Sequence, residues 1–158
     1  MPRHSKIVLD TVTISNFVNV DELAVLCEFY GNRLYITESV IIELKKANID
    51  LQAWIDDGRI KKAVFEYDIG TQSLMPETLA DGEVSCIVYA MKTEAAVATD
   101  DYRARQTVIA LCGQEKLTGT VGILDEMVKS GTLSAKSARA LLRSMIDQGF
   151  WFKGEPPF

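Results

Sequence analysis

Lys6-Ile7-Val8-Leu9-Asp10-Thr11 is a short apolar run that ends on a carboxylate, and its reading decides the fold. Three consecutive apolar residues without polar alternation predict a strand buried on both faces, the pattern of a parallel sheet covered by helices. Open α/β sheets bind ligands beyond the C-terminal ends of their strands, and Asp10 stands at that end. The same pattern recurs at Ala95-Ala96-Val97-Ala98-Thr99-Asp100-Asp101, where a second apolar run stops on two adjacent acids. Two strands of one sheet ending this way bring like charges together, a free-energy cost that a cation removes. A hard divalent ion with oxygen ligands is the expected cation.

Outward from these two strands, helical and extended patterns alternate. Asp21 is expected to cap a helix carrying Leu23, Val25, Leu26 and Phe29, closed by Gly31-Asn32. Leu34-Tyr35-Ile36 reads as a strand. Thr37 or Ser39 then caps a helix with Val40, Ile41, Leu44, Ala47 and Leu51. Trp54 and Ile55 lead to a stop at Asp56-Asp57-Gly58, Ile60 to Tyr67 reads as a partly exposed strand, and Asp68 to Thr78 as the longest loop. A helix follows from Asp81-Gly82-Glu83 to Glu94, with Val84, Ile87, Val88 and Met91 at helical spacing. After the Asp100-Asp101 strand end come a helix closed by Gly113, a short strand at Leu117-Thr118, a helix from Val121 to Lys129, and another capped by Ser134 and ended by Gly149. The aromatic cluster Phe150-Trp151-Phe152 is expected to dock on the core or on a second subunit rather than on nucleobases. There is no internal repeat. This alternation predicts a three-layer α/β/α sandwich with a mostly parallel sheet, forming a single domain over residues 1–152 with a short tail at 153–158.

With 158 residues, 47% apolar and 25% charged, the chain has the composition of a soluble globular domain. No apolar run reaches the roughly 18 residues that span a bilayer, and the start Met-Pro-Arg-His-Ser-Lys lacks the apolar core of a signal peptide, so the expected location is cytoplasmic, with no membrane partner. Cys27, Cys86 and Cys112 are far apart and form no Cys-x-x-Cys pair, which argues for buried free thiols. His4 is the only histidine. That removes Ser-His-Asp and Cys-His catalysis and histidine zinc sites, and leaves carboxylates to carry any chemistry. The net charge of −5 opposes phosphate binding, but cations bound by a group of acids offset it.

Two further acids stand out beside Asp10 and the Asp100-Asp101 pair. At about 100° per residue, Val40, Leu44, Ala47 and Leu51 share one stripe, and Glu43 lies about 60° from it, at the margin of the buried face. Glu83 lies one turn before Ile87, on a side with core residues; an acid in a first turn also complements the helix dipole. Strand ends and helix starts of a parallel α/β fold converge on one edge of the sheet. Three or four acids without histidine suit Mg²⁺ or Mn²⁺, and the chemistry such ions support is hydrolysis of a phosphodiester.

The ordered set Asp10-Thr11, Glu43 in Val40-Ile41-Ile42-Glu43-Leu44, Gly82-Glu83 and Thr99-Asp100-Asp101 resembles the PIN-domain family, metal-dependent ribonucleases whose members include toxins of toxin–antitoxin pairs. The resemblance covers nearly the whole chain, and implies about five parallel strands, an acidic pocket for Mg²⁺ or Mn²⁺, an RNA substrate, an antitoxin-like protein partner and frequent homodimerisation. By position, Asp10, Glu43, Glu83 and Asp101 match the family's acidic quartet, with Asp100 as an additional metal ligand or a helix cap and Thr99 orienting a ligand. Thr11, Lys46, Arg103 and Arg105 are the remaining candidates for substrate contact. The chain departs from the family where Val12 replaces the Ser or Asn common two places after the first Asp, and where Thr37-Glu38-Ser39 replaces a common proline. A PIN-like interaction module that cleaves nothing is the alternative these departures raise. A phosphatase of the haloacid-dehalogenase type needs Asp-x-Asp where this chain has Asp10-Thr11-Val12. A receiver domain needs an acidic pair before its first helix and a lysine after its last strand, and neither is present.

Overall fold

The computed structural model describes residues 2–158 and contains a sheet of five short strands in the order β3-β2-β1-β4-β5, every neighbouring pair parallel. The strands are β1 (Ile7–Leu9), β2 (Leu34–Ile36), β3 (Lys61–Lys62), β4 (Ala96–Ala98) and β5 (Leu117–Thr118). All residues of β1 and β4 are buried, as expected for apolar runs covered on both faces. They pair as Ile7 with Ala96, Val8 with Val97 and Leu9 with Ala98. The Asp10 amide extends that ladder by donating to the Ala98 carbonyl at 2.9 Å. From β1 the chain builds outward to β2 and β3, then returns to the other side of β1 for β4 and β5. The reversal of strand order therefore falls between β1 and β4, and the residues that emerge there are Asp10 and Thr99-Asp100-Asp101.

The helices are α1 (Thr11–Asn19), α2 (Leu23–Tyr30), α3 (Glu38–Lys46), α4 (Gln52–Asp56), α5 (Ile69–Gln72), α6 (Asp81–Lys92), α7 (Tyr102–Cys112), α8 (Thr120–Lys129) and α9 (Ala135–Asp147). Helices α6 and α7 pack on each other, while α1 touches α2, α3 and α9, and α8 packs on α9. With the sheet between helices this is the three-layer α/β/α sandwich expected from the alternating pattern. Phe17, Tyr30, Leu34, Ile87 and Ile123 are fully buried in its core. Phe158, in the segment read as a tail, packs partly buried against that core. Among the described residues no helix is long and apolar enough to cross a membrane.

Asp21 does not cap α2: it adopts a left-handed conformation (φ 58°), and Glu22 stands at the N-cap without a side-chain hydrogen bond. The stretch from Asp68 to Thr78 expected as a loop holds α5, capped by Asp68. Two expected elements are shorter, and one stretch with no expected element is helical. The segment after β1 is helical because the Asp10 side chain caps it. Helix α3 stops at Lys46 instead of continuing to Leu51, since Asn48 adopts a left-handed conformation (φ 63°) and the Asn48 and Ile49 amides close the last turn onto Lys45 and Leu44. The strand expected over Ile60 to Tyr67 shrinks to two residues. Its one neighbour, β2, ends at Ile36, so beyond the Ala63 amide bonding to the Ile36 carbonyl there is no further ladder to join.

Candidate active site

Asp10 is 3% exposed and is the N-cap of α1. Its Oδ1 accepts from the Thr11 amide at 2.6 Å and its Oδ2 from the Thr99 hydroxyl at 2.8 Å. Burial nevertheless raises its pKa to about 6. The two hydrogen bonds pull it down, and the charges of Glu43 and Asp100 push it further up.

Glu43 reaches the same place from α3. Its Oε1 accepts a short hydrogen bond from the Thr11 hydroxyl, and its Oε2 accepts from the Gly82 amide at 3.0 Å. One carboxylate thus ties the start of α1 to the start of α6, where an unsatisfied helix amide favours negative charge. The close approach also explains Gly82, because a Cβ there would collide with the Glu43 carboxylate.

Glu83, the next residue, is half-buried, and its Oε2 is buried without a hydrogen-bond partner. Burial raises its pKa to about 7, with the charges of Asp10 and then Asp101 adding to the effect. Asp101 caps α7 through Oδ2, which accepts from the Ala104 amide at 2.9 Å. Asp10 and Asp101, ninety-one positions apart in the sequence, therefore both sit near enough to perturb Glu83.

Asp100 behaves differently from its neighbour. Its Oδ2 accepts from the hydroxyls of Thr13 at 2.9 Å and Thr120 at 2.6 Å, and its Oδ1 from the Thr120 amide at 3.0 Å. Asn16 adds a bond to the Thr120 hydroxyl. Asp100 caps neither the helix that follows it nor a vacant position. It fastens the start of α8 to α1. Thr13, Asn16 and Thr120 were not singled out from the sequence; the signal was the polar register of α1 (Thr13, Asn16) beside apolar Ile14 and Phe17.

The remaining candidates divide in the same way. The hydroxyls of Thr11 and Thr99 bond to Glu43 and Asp10, so both orient acids. Arg105 donates through one nitrogen to the carbonyls of Thr99, at 2.8 Å, and Thr118, at 3.2 Å, which joins the ends of β4 and β5. Lys46 and Arg103 are exposed, in the last turn of α3 and the first turn of α7. Val12 is 51% exposed on α1 and supplies no polar group.

Among the described residues, no three of these acids already stand as a preformed set of metal ligands. The donors nonetheless suit a hard cation: all are carboxylates, one buried oxygen has no partner, and the ion pairs found among the described residues involve only Glu38, Asp68 and Asp125, none of this group. No curated protein and no solved structure matches the chain. A family model described as a PIN domain matches residues 6–155, a span that takes in all five strands and every acid at the switch point. The chain belongs to the PIN-domain family and has its nuclease-like fold.

Proposed function

We infer that the protein is a Mg²⁺- or Mn²⁺-dependent endoribonuclease that hydrolyses RNA phosphodiesters at the acids gathered beyond β1 and β4. The observation that carries this reading is Glu83, a half-buried carboxylate with an unpartnered oxygen, held against two other acids with no basic side chain ion-paired to any of them. Asp10, Glu83 and Asp101 are the residues to hold the ion, and Glu43 positions the attacking water. A divalent cation bound there supplies Lewis-acid stabilisation of phosphate charge and a more acidic water. The chain's own groups do the positioning. Thr99 and the Thr11 amide fix the rotamer of Asp10, and Thr11 with the Gly82 amide fixes Glu43. Arg103, two residues after Asp101, and Lys46, three residues after Glu43 on α3, are exposed cations open to RNA phosphates, whereas Asp100 serves as an anchor rather than a ligand.

Cleavage of single-stranded RNAs in Mn²⁺ tests the reading. Asp10→Asn is expected to lower the rate more than about 100-fold, beyond the 10–100-fold typical of losing a group that merely supports a ligand. Undiminished cleavage rejects the mechanism. The reading extends to the toxin of a toxin–antitoxin pair, a homodimer held by an antitoxin-like protein; growth arrest by the wild-type chain but not by Asp10→Asn supports that step.

A second reading is an interaction module that cleaves nothing. It is favoured by the lack of a preformed ligand triad among the described residues and by Glu43, whose two oxygens are both engaged. Calorimetry with Mn²⁺ separates the two, since binding that Asp10→Asn abolishes argues against a metal-free module.

A further inference from the structure

A cavity of about 890 Å³ lies along the β5 edge of the sheet, between the start of α8 and the C-terminal segment. It falls in the range of built ligand sites. Asp100, the sequence neighbour of Asp101, lines it, so the cavity reaches the acidic group at its Asp100 side. Its wall carries Arg3, Arg105, Trp151 and Lys153.

The lining has two unusual properties. The first is charge. The acids of the wall are already engaged: Asp125 pairs with Lys129 at 2.8 Å, Asp100 takes its three donors, and Glu126 faces the Tyr30 hydroxyl at 3.5 Å. Among the described residues Arg3 and Lys153 make no ion pair, and Arg105 keeps a second guanidinium nitrogen outside the hydrogen bonds described above. With Lys129, the wall sets four basic side chains against Asp100, Asp125 and Glu126, a slight positive excess in a chain whose net charge is −5. The second is aromatic. Phe150 and Phe152 lie nearly parallel, 21° apart with centroids at 6.5 Å, and are partly buried on the core, which leaves Trp151 between them turned outward and 80% exposed.

A large indole held in water by two anchored neighbours, with unpaired cations around it, is the arrangement that holds unpaired nucleotides: bases stack on the ring and phosphates meet the cations. Strand addition by a protein has little to use here, because β5 offers only two residues of edge. We propose that this cavity is the binding channel for the single-stranded RNA flanking the scissile bond, with a base on Trp151 and phosphates on Arg3, Lys153 and the free side of Arg105. The proposal rests on the nuclease reading and adds to it the place where the flanking nucleotides lie.

The test is fluorescence anisotropy of a short labelled single-stranded RNA titrated with the whole chain in EDTA, so that binding is read without cleavage. Trp151→Ala is expected to raise Kd about tenfold, the usual loss of one base stack. Trp151→Phe is expected to recover most of that affinity, and Lys153→Glu to weaken binding and flatten its salt dependence. The same RNA in a duplex is expected to bind more weakly. Equal affinity of wild type, Trp151→Ala and Lys153→Glu overturns the channel, even where Asp10-dependent cleavage stands. Dependence on Trp151 in a chain that never cleaves RNA upholds the channel and rejects the nuclease. A wild-type chain that binds no RNA but elutes as a dimer, which Trp151→Ala turns into a monomer, makes the cavity a protein interface and also overturns the proposal.

Discussion

Asp100 and Glu83 sit at the same end of the same sheet, within reach of the same acids, and their environments are opposite. Asp100 takes three hydrogen bonds from Thr13 and Thr120, so its charge is stabilised where it stands. Glu83 has a buried oxygen with no donor and two carboxylates beside it. One acid holds the architecture together. The other sits where burial and two neighbouring carboxylates disfavour its charge. The difference teaches how to separate structural from functional acids when four or five converge: count the donors each one receives, and look for the one whose charge burial and like neighbours disfavour.

The largest effect on stability is therefore expected at Asp100. Asp100→Ala strips the acceptor from two fully buried threonine hydroxyls, and bonds to a charged acceptor together with abandoned buried donors put the loss at roughly 3 kcal/mol. Glu83→Gln, by contrast, removes repulsion and is expected to leave unfolding free energy unchanged or slightly raised while abolishing cation binding. Urea denaturation of both variants measures the contrast. A silent Asp100→Ala beside a destabilised Glu83→Gln inverts the assignment of roles.

Gly82 sharpens the same comparison at smaller scale. Its missing Cβ lets the Glu43 carboxylate reach the α6 amide. Gly82→Ala forces Glu43 or the start of α6 to move, at a cost of about 1–3 kcal/mol for overpacking, and shifts Glu83 with it. We expect a modest loss of stability with a disproportionate loss of Mn²⁺ affinity by calorimetry. Equal retention of both means that Glu43 does not fix the position of Glu83.

Much of this was legible in the sequence, for identifiable reasons. Uninterrupted apolar runs ending in acids predicted β1 and β4, because burial on both faces leaves no room for alternation. Helix starts were legible where a side chain caps them, as at Thr37 and Ser134, whereas the cap of α7 is Asp101 and not the Asp100 that the sequence offered. Helix α1 was not legible, because its cap is Asp10 itself, a residue already read as a strand end. The extents of α3 and β3 were set by facts outside local propensity: the left-handed Asn48, and the lack of a pairing partner after Ile36. At the site, the identities of the acids were readable but their partners were not. That Thr99 serves Asp10 and Thr120 serves Asp100 depends on which loop faces which strand end, and such distant pairings leave no trace in spacing.

The smallest effect is also the most direct measure of what burial and repulsion together cost these acids. Asp10 and Glu83 have pKa values raised to about 6 and about 7, above those of an unfolded chain. Between the unfolded value and the folded one, the folded state holds more protons, so stability falls as pH rises through that window. In the metal-free protein these two groups therefore favour the fold at pH 4 and oppose it above pH 7. Burial is the main cause of both shifts, and the repulsion that adds to it comes from Glu43 and Asp100 at Asp10 and from Asp10 and Asp101 at Glu83. Taking the difference between wild type and Asp10→Asn removes every other titrating group, and the variant is expected to gain on wild type by ~1–2 kcal/mol between pH 5 and pH 8. Saturating Mn²⁺ should erase that gain by stabilising wild type alone, because an ion that binds only the folded acids shifts unfolding by mass action. A difference that stays flat with pH shows that burial and repulsion do not hold Asp10 above its ordinary value, and the distinction between anchored and destabilised acids then rests on Glu83 alone.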